Sequence, residues 1–516
     1  MSDAEQALAF AGAALTVLGA LTRVSMRPNV HRCGVPALLL GWVALLTAAA
    51  PDLQRAHAWL LVAAAGAALA IGWWLAGRLQ GHETWLLAAG AAVLTLRVPV
   101  PSGEGTAMLL GPLYAMIAVG SLVLIRTDRA AGPAGGGWTR SNPERGGATR
   151  LIDAGTAVFP VVAALSLLWS FQRSSSVEAL AFFVVPFLLA YALVRRWVDA
   201  GARLQPAAWA LTVSGAVAAT VGLVQAVTRH VWWNEKVIDS NRFRPDFRTN
   251  SLYFDPNIYG RALVVAVLAV AAWMLLARVS ARGTLAASAL LALFTVALWN
   301  TYSQSSWVAL AAGLVLIAVL TLPPVLRRWA AAALAAIVLA GVPVAADRLA
   351  GSDTDGRSDV VRTGLALAGE EPVRGWGIGS FEVAAEARAI ERGDADPGLL
   401  ASHTTPVTVL AELGVLGAGA YLMLLTSAFV AMLARWRSAS TPAAAARARG
   451  DDAGAGWPSP MLVWASAVLA ALFAHSLLYA GFFEDATLWV ALALLATLPP
   501  VQHDVVHQEP ALSSRN

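Results

Sequence analysis

Charge is scarce in this chain. Only 13% of its 516 residues are Asp, Glu, Lys or Arg and 58% are hydrophobic, whereas a soluble domain carries roughly 25% charged and about 45–50% apolar residues. A water-soluble globule is thereby excluded. Lysine is almost missing: Lys236 is the only one, and every other basic residue is arginine. With abundant Ala and Gly, that imbalance reflects compositional bias rather than a nucleic-acid footprint. No basic run of the kind that tracks phosphates is present, so nucleic acid is not an expected partner. Cysteine is limited to Cys33, which excludes an intrachain disulfide and any Cys-based metal cluster. Also absent are a Walker loop, a G-x-S-x-G elbow and an H-E-x-x-H zinc site. Asp3 and Glu5 stand where a signal peptide would carry basic residues, so no cleavable signal is expected.

What the chain has in quantity is apolar runs. Fifteen stretches are long and apolar enough to read as spans, at about 6–22, 34–50, 57–77, 83–98, 105–125, 151–170, 177–194, 206–227, 257–277, 284–300, 305–322, 330–346, 406–434, 460–480 and 485–500. A spanning helix needs roughly 20 such residues. The expected fold is therefore all-α: a polytopic integral membrane protein of about 14–15 transmembrane helices. Its divisions are residues 1–227, N-terminal helices; 228–500, a second helical region with two long loops; and 501–516, a polar cytoplasmic tail.

Alternate connections differ sharply in charge. One set holds twenty arginines, among them Arg23, Arg195, Arg196 and Arg435, while the short connections of the other set hold only Arg55, Arg97 and Arg173. The positive-inside rule assigns the arginine-rich set to the cytoplasm. Two long connections, 228–256 and 347–405, then lie outside; their Trp, Phe, Tyr and Ile content is too high for plain linkers. The stretches 126–150 and 435–458, rich in Gly, Ala, Arg and Ser, read as flexible cytoplasmic linkers.

Ionisable groups are costly in hydrocarbon, so their positions carry information. Glu178, Arg261, Glu412, His475, Glu484 and Asp485 gather at outer span ends, with Asp153 the exception near an inner end. A transporter needs polar groups at mid-membrane and a path to both faces. This distribution fits chemistry at the outer surface better.

The first outer loop ends RTNSLYFDPNIYGR. Asp255 suits a helix cap and Pro256 the first helical position; Asn257 and Arg261 share a helical face one turn apart. Arg242, Arg244 and Arg248 supply guanidinium forks able to grip a diphosphate. The second outer loop holds GRSDVVRTGLALAGEEPVRGWGIGSF and then SHTTPVTVLAELGVLG. Its Arg357 and Arg362, five apart, face differently on a helix. The GWGIG stretch could cradle phosphate with backbone N–H groups, although a tight turn fits it as well. His403, just before Pro406, can exchange a proton near neutral pH. Asp353 and Asp355 make a weak divalent-ion motif, and His503 with His507 lies in the polar tail. No metal or cofactor site is expected.

Four stretches in this order, the two loop segments, NTYSQSSWVAL between two spans, and HSLLYAGFFEDATLWVALALL near the end, cover about residues 240–500. In this the chain resembles the O-antigen ligase and O-antigen polymerase superfamily of bacterial membrane glycosyltransferases. The resemblance implies a GT-C-like fold and an active site on the outer face of the inner membrane. It implies a polyprenyl-diphosphate-linked glycan as donor and a lipid, glycan or protein hydroxyl as acceptor. Carried over by motif, Arg357 fills the arginine position ahead of the glycine turn, His403 the histidine position, and Glu412 the glutamate of E-x-G. Arg248 matches the first-loop arginine, with Arg242, Arg244 and Arg261 as rivals. Arg362 is a further substrate-binding candidate and Asn257 a supporting one. Three departures stand out: Ser303-Gln304-Ser305-Ser306 has no arginine where the family has a Ser-Arg pair, Val361 replaces an aromatic, and Thr404 replaces the commoner Asn.

The implied reaction is metal-independent and inverting. Arginines would take the charge that develops on the leaving diphosphate, and neutral His403 would accept the acceptor hydroxyl's proton. Ligase and polymerase differ only in the acceptor, and both stay open. A lipid-linked sugar flippase and a non-catalytic scaffold are the alternatives of another class.

Overall fold

Within a bilayer the backbone has no partner but itself, so apolar stretches become helices. The computed structural model describes the chain except for residues 26–29, 31, 50–66, 68, 95, 97, 103–104, 131–146, 244, 278, 323–324, 327, 330–331, 333–356, 392, 394–403, 440–459 and 499–516. In chain order the elements are α1 (Asp3–Val24), α2 (Gly34–Ala48), α3 (Glu83–Val93), β1 (Val98–Ser102), β2 (Gly105–Leu109), α4 (Gly111–Ala130) and α5 (Gly147–Leu165). A long helix, α6 (Arg173–Asp199), follows, then α7 (Gln205–Thr228), α8 (Glu235–Phe243), α9 (Pro256–Leu276), α10 (Ala281–Trp299) and α11 (Gln304–Thr321). The last are α12 (Arg357–Glu370), α13 (Phe381–Glu391), α14 (Thr405–Ala439), α15 (Pro460–Ser476) and α16 (Ala486–Thr497).

Eight of these helices are long and apolar enough to cross a membrane: α1, α5, α6, α7, α9, α10, α11 and α14. Four shorter apolar helices join them, α2, α3, α15 and α16. The protein is a polytopic, helical membrane protein. The stretch expected at 330–346 lies almost entirely outside the described residues, as do the first half of 57–77 and the tail; within 57–77 a helix is seen at 69–79.

One feature departs from the all-helical expectation. The strands β1 and β2 form an antiparallel hairpin with Val98 opposite Leu109 and Ser102 opposite Gly105. Pro99 and Pro101 cannot donate a helical hydrogen bond, so α3 stops at Val93 and α4 starts only at Gly111. The apolar runs at 83–98 and 105–125 are therefore each cut short. The two long loops are partly helical: α8 lies within 228–256, and α12 and α13 within 347–405.

Proline shapes α6 as well. Pro186 has no N–H for the carbonyl of Phe182, and the helix widens to a π-turn at Leu180–Val184. The Phe182 carbonyl accepts instead from the Tyr114 hydroxyl at 2.6 Å, and that of Ala181 from Trp42 Nε1 at 2.6 Å. The misfit thus becomes a tie between α2, α4 and α6.

One apolar core runs through both halves of the chain. Phe159 of α5 stacks on Phe483 beside α16 at 3.5 Å, Trp464 of α15 donates to the carbonyl of Val265 in α9 at 3.1 Å, and Trp489 and Tyr259 are fully buried. Because α5 runs from Thr149 to the Ser166 end, and α6 returns from Arg173 to Arg195, the polar connections separate to two ends of the bundle. One end gathers residues 166–172, 248–257, 300–306, 371–380 and 477–485. The other gathers Arg23, Asp153, Arg195 and Arg435.

Candidate functional site

The RTNSLYFDPNIYGR motif is built around buried polar groups. Thr249, Asn250 and Ser251 are completely buried, and buried backbone polar groups are costly unless they are paired. Gln225, an amide near the end of the mostly apolar α7, pairs two of them. Its Oε1 accepts from the Ser251 N–H at 2.8 Å and its Nε2 donates to the Ser251 carbonyl at 3.1 Å. The Ser251 hydroxyl reaches the carbonyl of Ala218 at 2.6 Å. Held in this way, the chain turns at Ser251 with a left-handed φ of 51° and delivers Asp255 to cap α9. The Asp255 carboxylate accepts from the Asn257 N–H at 2.7 Å, with Pro256 in the first turn.

Arg248 is the half-buried centre of this end. Asn241 of α8 clamps its backbone from both sides, accepting from the Arg248 N–H and donating to its carbonyl, each at 2.9 Å. Its guanidinium donates through Nε to the Thr301 carbonyl at 3.0 Å and through Nη2 to Asn257 Oδ1 at 3.4 Å. Thr301 belongs to the NTYSQSS turn between α10 and α11. There Ser303 caps α11, accepting from the Ser306 N–H, and its hydroxyl meets those of Ser305 and Ser306 at 3.1 and 2.8 Å. Ser305 in turn meets Nε2 of the buried His475 at 3.1 Å. Three of the four motif stretches, about 50 and 220 residues apart in the chain, are therefore in one hydrogen-bonded cluster.

Arg261, one turn along α9 from Asn257, does something else. It is buried, pairs through Nε with Asp485 Oδ2 at 2.7 Å, and donates through Nη1 to the Gly481 carbonyl at 3.1 Å. Asp485 also caps α16, accepting from the Thr487 N–H at 2.8 Å. The pair ties the start of α9 to the start of α16.

The glycine turn does not cradle an anion. Its N–H groups are already taken: Trp376 donates to the carbonyl of Ala411 at 3.0 Å, Gly377 to that of Glu412 at 2.7 Å, and Ile378 to Ser166 Oγ at 3.0 Å. Phe381 donates to Glu412 Oε1 at 3.2 Å, and the Gly379 N–H also bonds this carboxylate. The turn is a clasp instead. Gly375, Gly377 and Gly379 have φ of 67°, 97° and 73°, and each touches backbone so closely that a Cβ would overlap it, at Glu412, Ser170 and Ser175. Opposite, α14 breaks at Gly414 with φ 59°, opening the N–H groups of Val415 and Leu416 to the carbonyls of Pro372 and Val373. Glu412 is the half-buried bolt of this clasp.

Helix α12 lies along α14 in the same direction, Gly364 against Val407 and, through Trp376, Leu367 beside Ala411. The N-terminal ends of the two helices are thus together. Arg357 is the first residue of α12, its side chain outside the described residues, and Arg362 is exposed one turn on. His403 and Arg244 lie outside the described residues, as do Asp353, Asp355, His503 and His507. Arg242 is exposed and pairs with Asp239 at 2.9 Å.

Sequence reasoning missed Asn241, Gln225 and the Thr301 carbonyl. A glutamine in the second half of a mostly apolar helix was the available signal for Gln225. Nothing in a sequence marks a backbone carbonyl.

Comparison with known proteins adds one match. Residues 287–422, from within α10 through the glycine turn to the broken start of α14, match the family model described as O-Antigen ligase. No curated protein matches the chain.

Proposed function

From a segment of the O-antigen ligase family at residues 287–422 in a polytopic membrane chain, we propose that the protein transfers a glycan from a polyprenyl-diphosphate carrier to an acceptor hydroxyl at the outer face of the inner membrane. The carrying observation is the Arg248 cluster, where one guanidinium is held between Asn257 of its own stretch and the Thr301 carbonyl of a second stretch distant in sequence. A fixed cation at the membrane boundary is what a diphosphate leaving group requires, because stabilisation that needs no reorganisation acts fully on the transition state.

The roles follow from chemistry. Arg248 and Arg357, with Arg244 and Arg362 as further cations of the same loops, take the charge developing on the diphosphate, and no metal ion is needed for that task. His403, next to the start of α14, removes the proton of the acceptor hydroxyl. Direct displacement inverts the anomeric centre. Glu412 and Asn257 are positioning residues, Glu412 for the clasp and Asn257 for Arg248. Arg261, already neutralised by Asp485, holds helices rather than substrate. The acceptor is a lipid, a protein or a second glycan. In the last case the enzyme is a polymerase of lipid-linked repeat units rather than a ligase.

The test is the length of lipid-linked glycan accumulating in cells whose only copy carries His403→Ala. Long polymer left on the carrier marks a lost ligase step, and single repeat units mark a lost polymerase step. A wild-type profile, with the variant present in the membrane at normal level, overturns the catalytic role of His403.

A further inference from the structure

The end of the bundle opposite Arg248 has a pocket of its own, lined by Arg23, Arg32, Asp128, Asp153, Arg195 and Arg196 together with apolar side chains such as Leu124. Four guanidinium groups face two carboxylates there. Both carboxylates are committed. Asp128 pairs with Arg196 at 2.7 Å. Asp153 takes Arg195 at 2.9 Å, the Tyr191 hydroxyl at 2.8 Å and, more loosely, Arg23 at 4.0 Å.

Part of the remaining positive charge is out of reach of solvent. Arg23 is 6% exposed; its Nη2 donates to Thr156 at 2.9 Å and its plane lies 4.6 Å from the Tyr191 ring centroid, yet its Nε, buried, meets no acceptor among the described residues. Nη2 of Arg32 is buried and likewise meets none. Gly34 fixes the two arginines near each other, since a Cβ there would lie 3.2 Å from the Arg23 Cα. Buried charged donors without acceptors are expensive. Asp199 also acts electrostatically on Arg195, yet among the described residues Arg23 Nε and Arg32 Nη2 stay without acceptors.

We infer that this pocket binds a phosphate-bearing anion. A phosphate oxygen pair matches the guanidinium fork, and its charge offsets the surplus. A lipid phosphodiester and a soluble phosphate share this headgroup chemistry. The site is separate from the Arg248 cluster, at the other end of α5 and α6, and so bears on anchoring rather than on the transfer step.

The experiment uses the full-length protein in nanodiscs of purely zwitterionic lipid. Thermal unfolding is followed as phosphatidylglycerol replaces part of that lipid and, separately, as inorganic phosphate is added against sodium chloride of equal ionic strength. Native mass spectrometry counts the lipids retained. Stabilisation by phosphatidylglycerol alone, with retained anionic lipid, assigns the site to a lipid headgroup; stabilisation by inorganic phosphate as well assigns it to phosphate in general. Arg32→Gln should weaken either by about tenfold, the cost of one charge-assisted hydrogen bond, and Arg32→Lys by less. A wild type indifferent to both anions overturns the proposal. So does undiminished binding in Arg32→Gln, a variant on a connecting segment whose folding can be checked by its melting in zwitterionic discs.

Discussion

Arg248 and Thr301 stand 53 residues apart in the chain, yet Nε of the first donates to the carbonyl of the second at 3.0 Å. That bond joins the loop before α9 to the turn before α11, and it uses an acceptor that no substitution can delete. That turn, with Ser303, Gln304, Ser305 and Ser306, has no arginine of its own. Arg248 reaches in from the neighbouring loop and brings a guanidinium to the same turn.

Replacing Arg248 should therefore cost function more than fold. Arg248→Ala is expected to reduce glycan transfer in reconstituted vesicles at least about tenfold, the worth of one charge-assisted interaction. Arg248→Lys should recover little, because an ammonium cannot bridge Thr301 and Asn257 as the planar fork does. Asn241→Ala, which releases only the backbone clamp, should fall between Arg248→Ala and wild type. Equal activity in all three would remove Arg248 from the site.

The glycine clasp predicts a contrast between two neighbouring glycines. At Gly377 a Cβ would sit 2.6 Å from the Ser170 backbone, with φ at 97°. Gly377→Ala should destabilise the protein by roughly 2–4 kcal/mol through strain and overlap. Gly369, in the exposed last turn of α12, has nothing within 4 Å of the same position, and Gly369→Ala should stabilise by roughly 0.5–1 kcal/mol. Thermal unfolding in detergent reads both. Matching shifts for the two would mean that the clasp does not hold the folded state.

The Arg261–Asp485 pair is tested by a double-mutant cycle. Asp485→Asn keeps a capping side chain for α16 but leaves Arg261 buried without its counter-charge, an expected loss of about 3–5 kcal/mol. Arg261→Met alone strands the carboxylate and should cost a similar amount. With both changes, stability and transfer activity should return together. If stability returns and transfer does not, Arg261 touches substrate after all.

How far the sequence reaches differs between fold and site. Low charge and apolar runs were enough for a polytopic helical protein, because the hydrocarbon core allows few other backbones. The cap at Asp255 and Pro256 was also local, and it formed as its residues dictate. The hairpin at 98–109 could have been anticipated from Pro99 and Pro101, whose missing N–H groups outweigh the apolar run around them. The glycine turn shows the opposite limit. Its spacing suits an anion cradle and a clasp equally well, and only the neighbours, Ala411, Glu412 and Ser166, reveal that its donors are already used.

Arginine had the same ambiguity. Arg248 and Arg261 lie in one motif, thirteen residues apart, and either could have gripped a diphosphate. Their surroundings separate them: Arg261 pairs with Asp485, more than 200 residues away, whereas Arg248 is held by the Thr301 carbonyl and Asn257. The sequence by itself determined that this chain spans a membrane, which residues end its helices, and which side chains were costly enough to need a reason. Tertiary structure alone decided which of those side chains meet, because charge and hydrogen bonds act over a few ångströms in space whatever the separation along the chain.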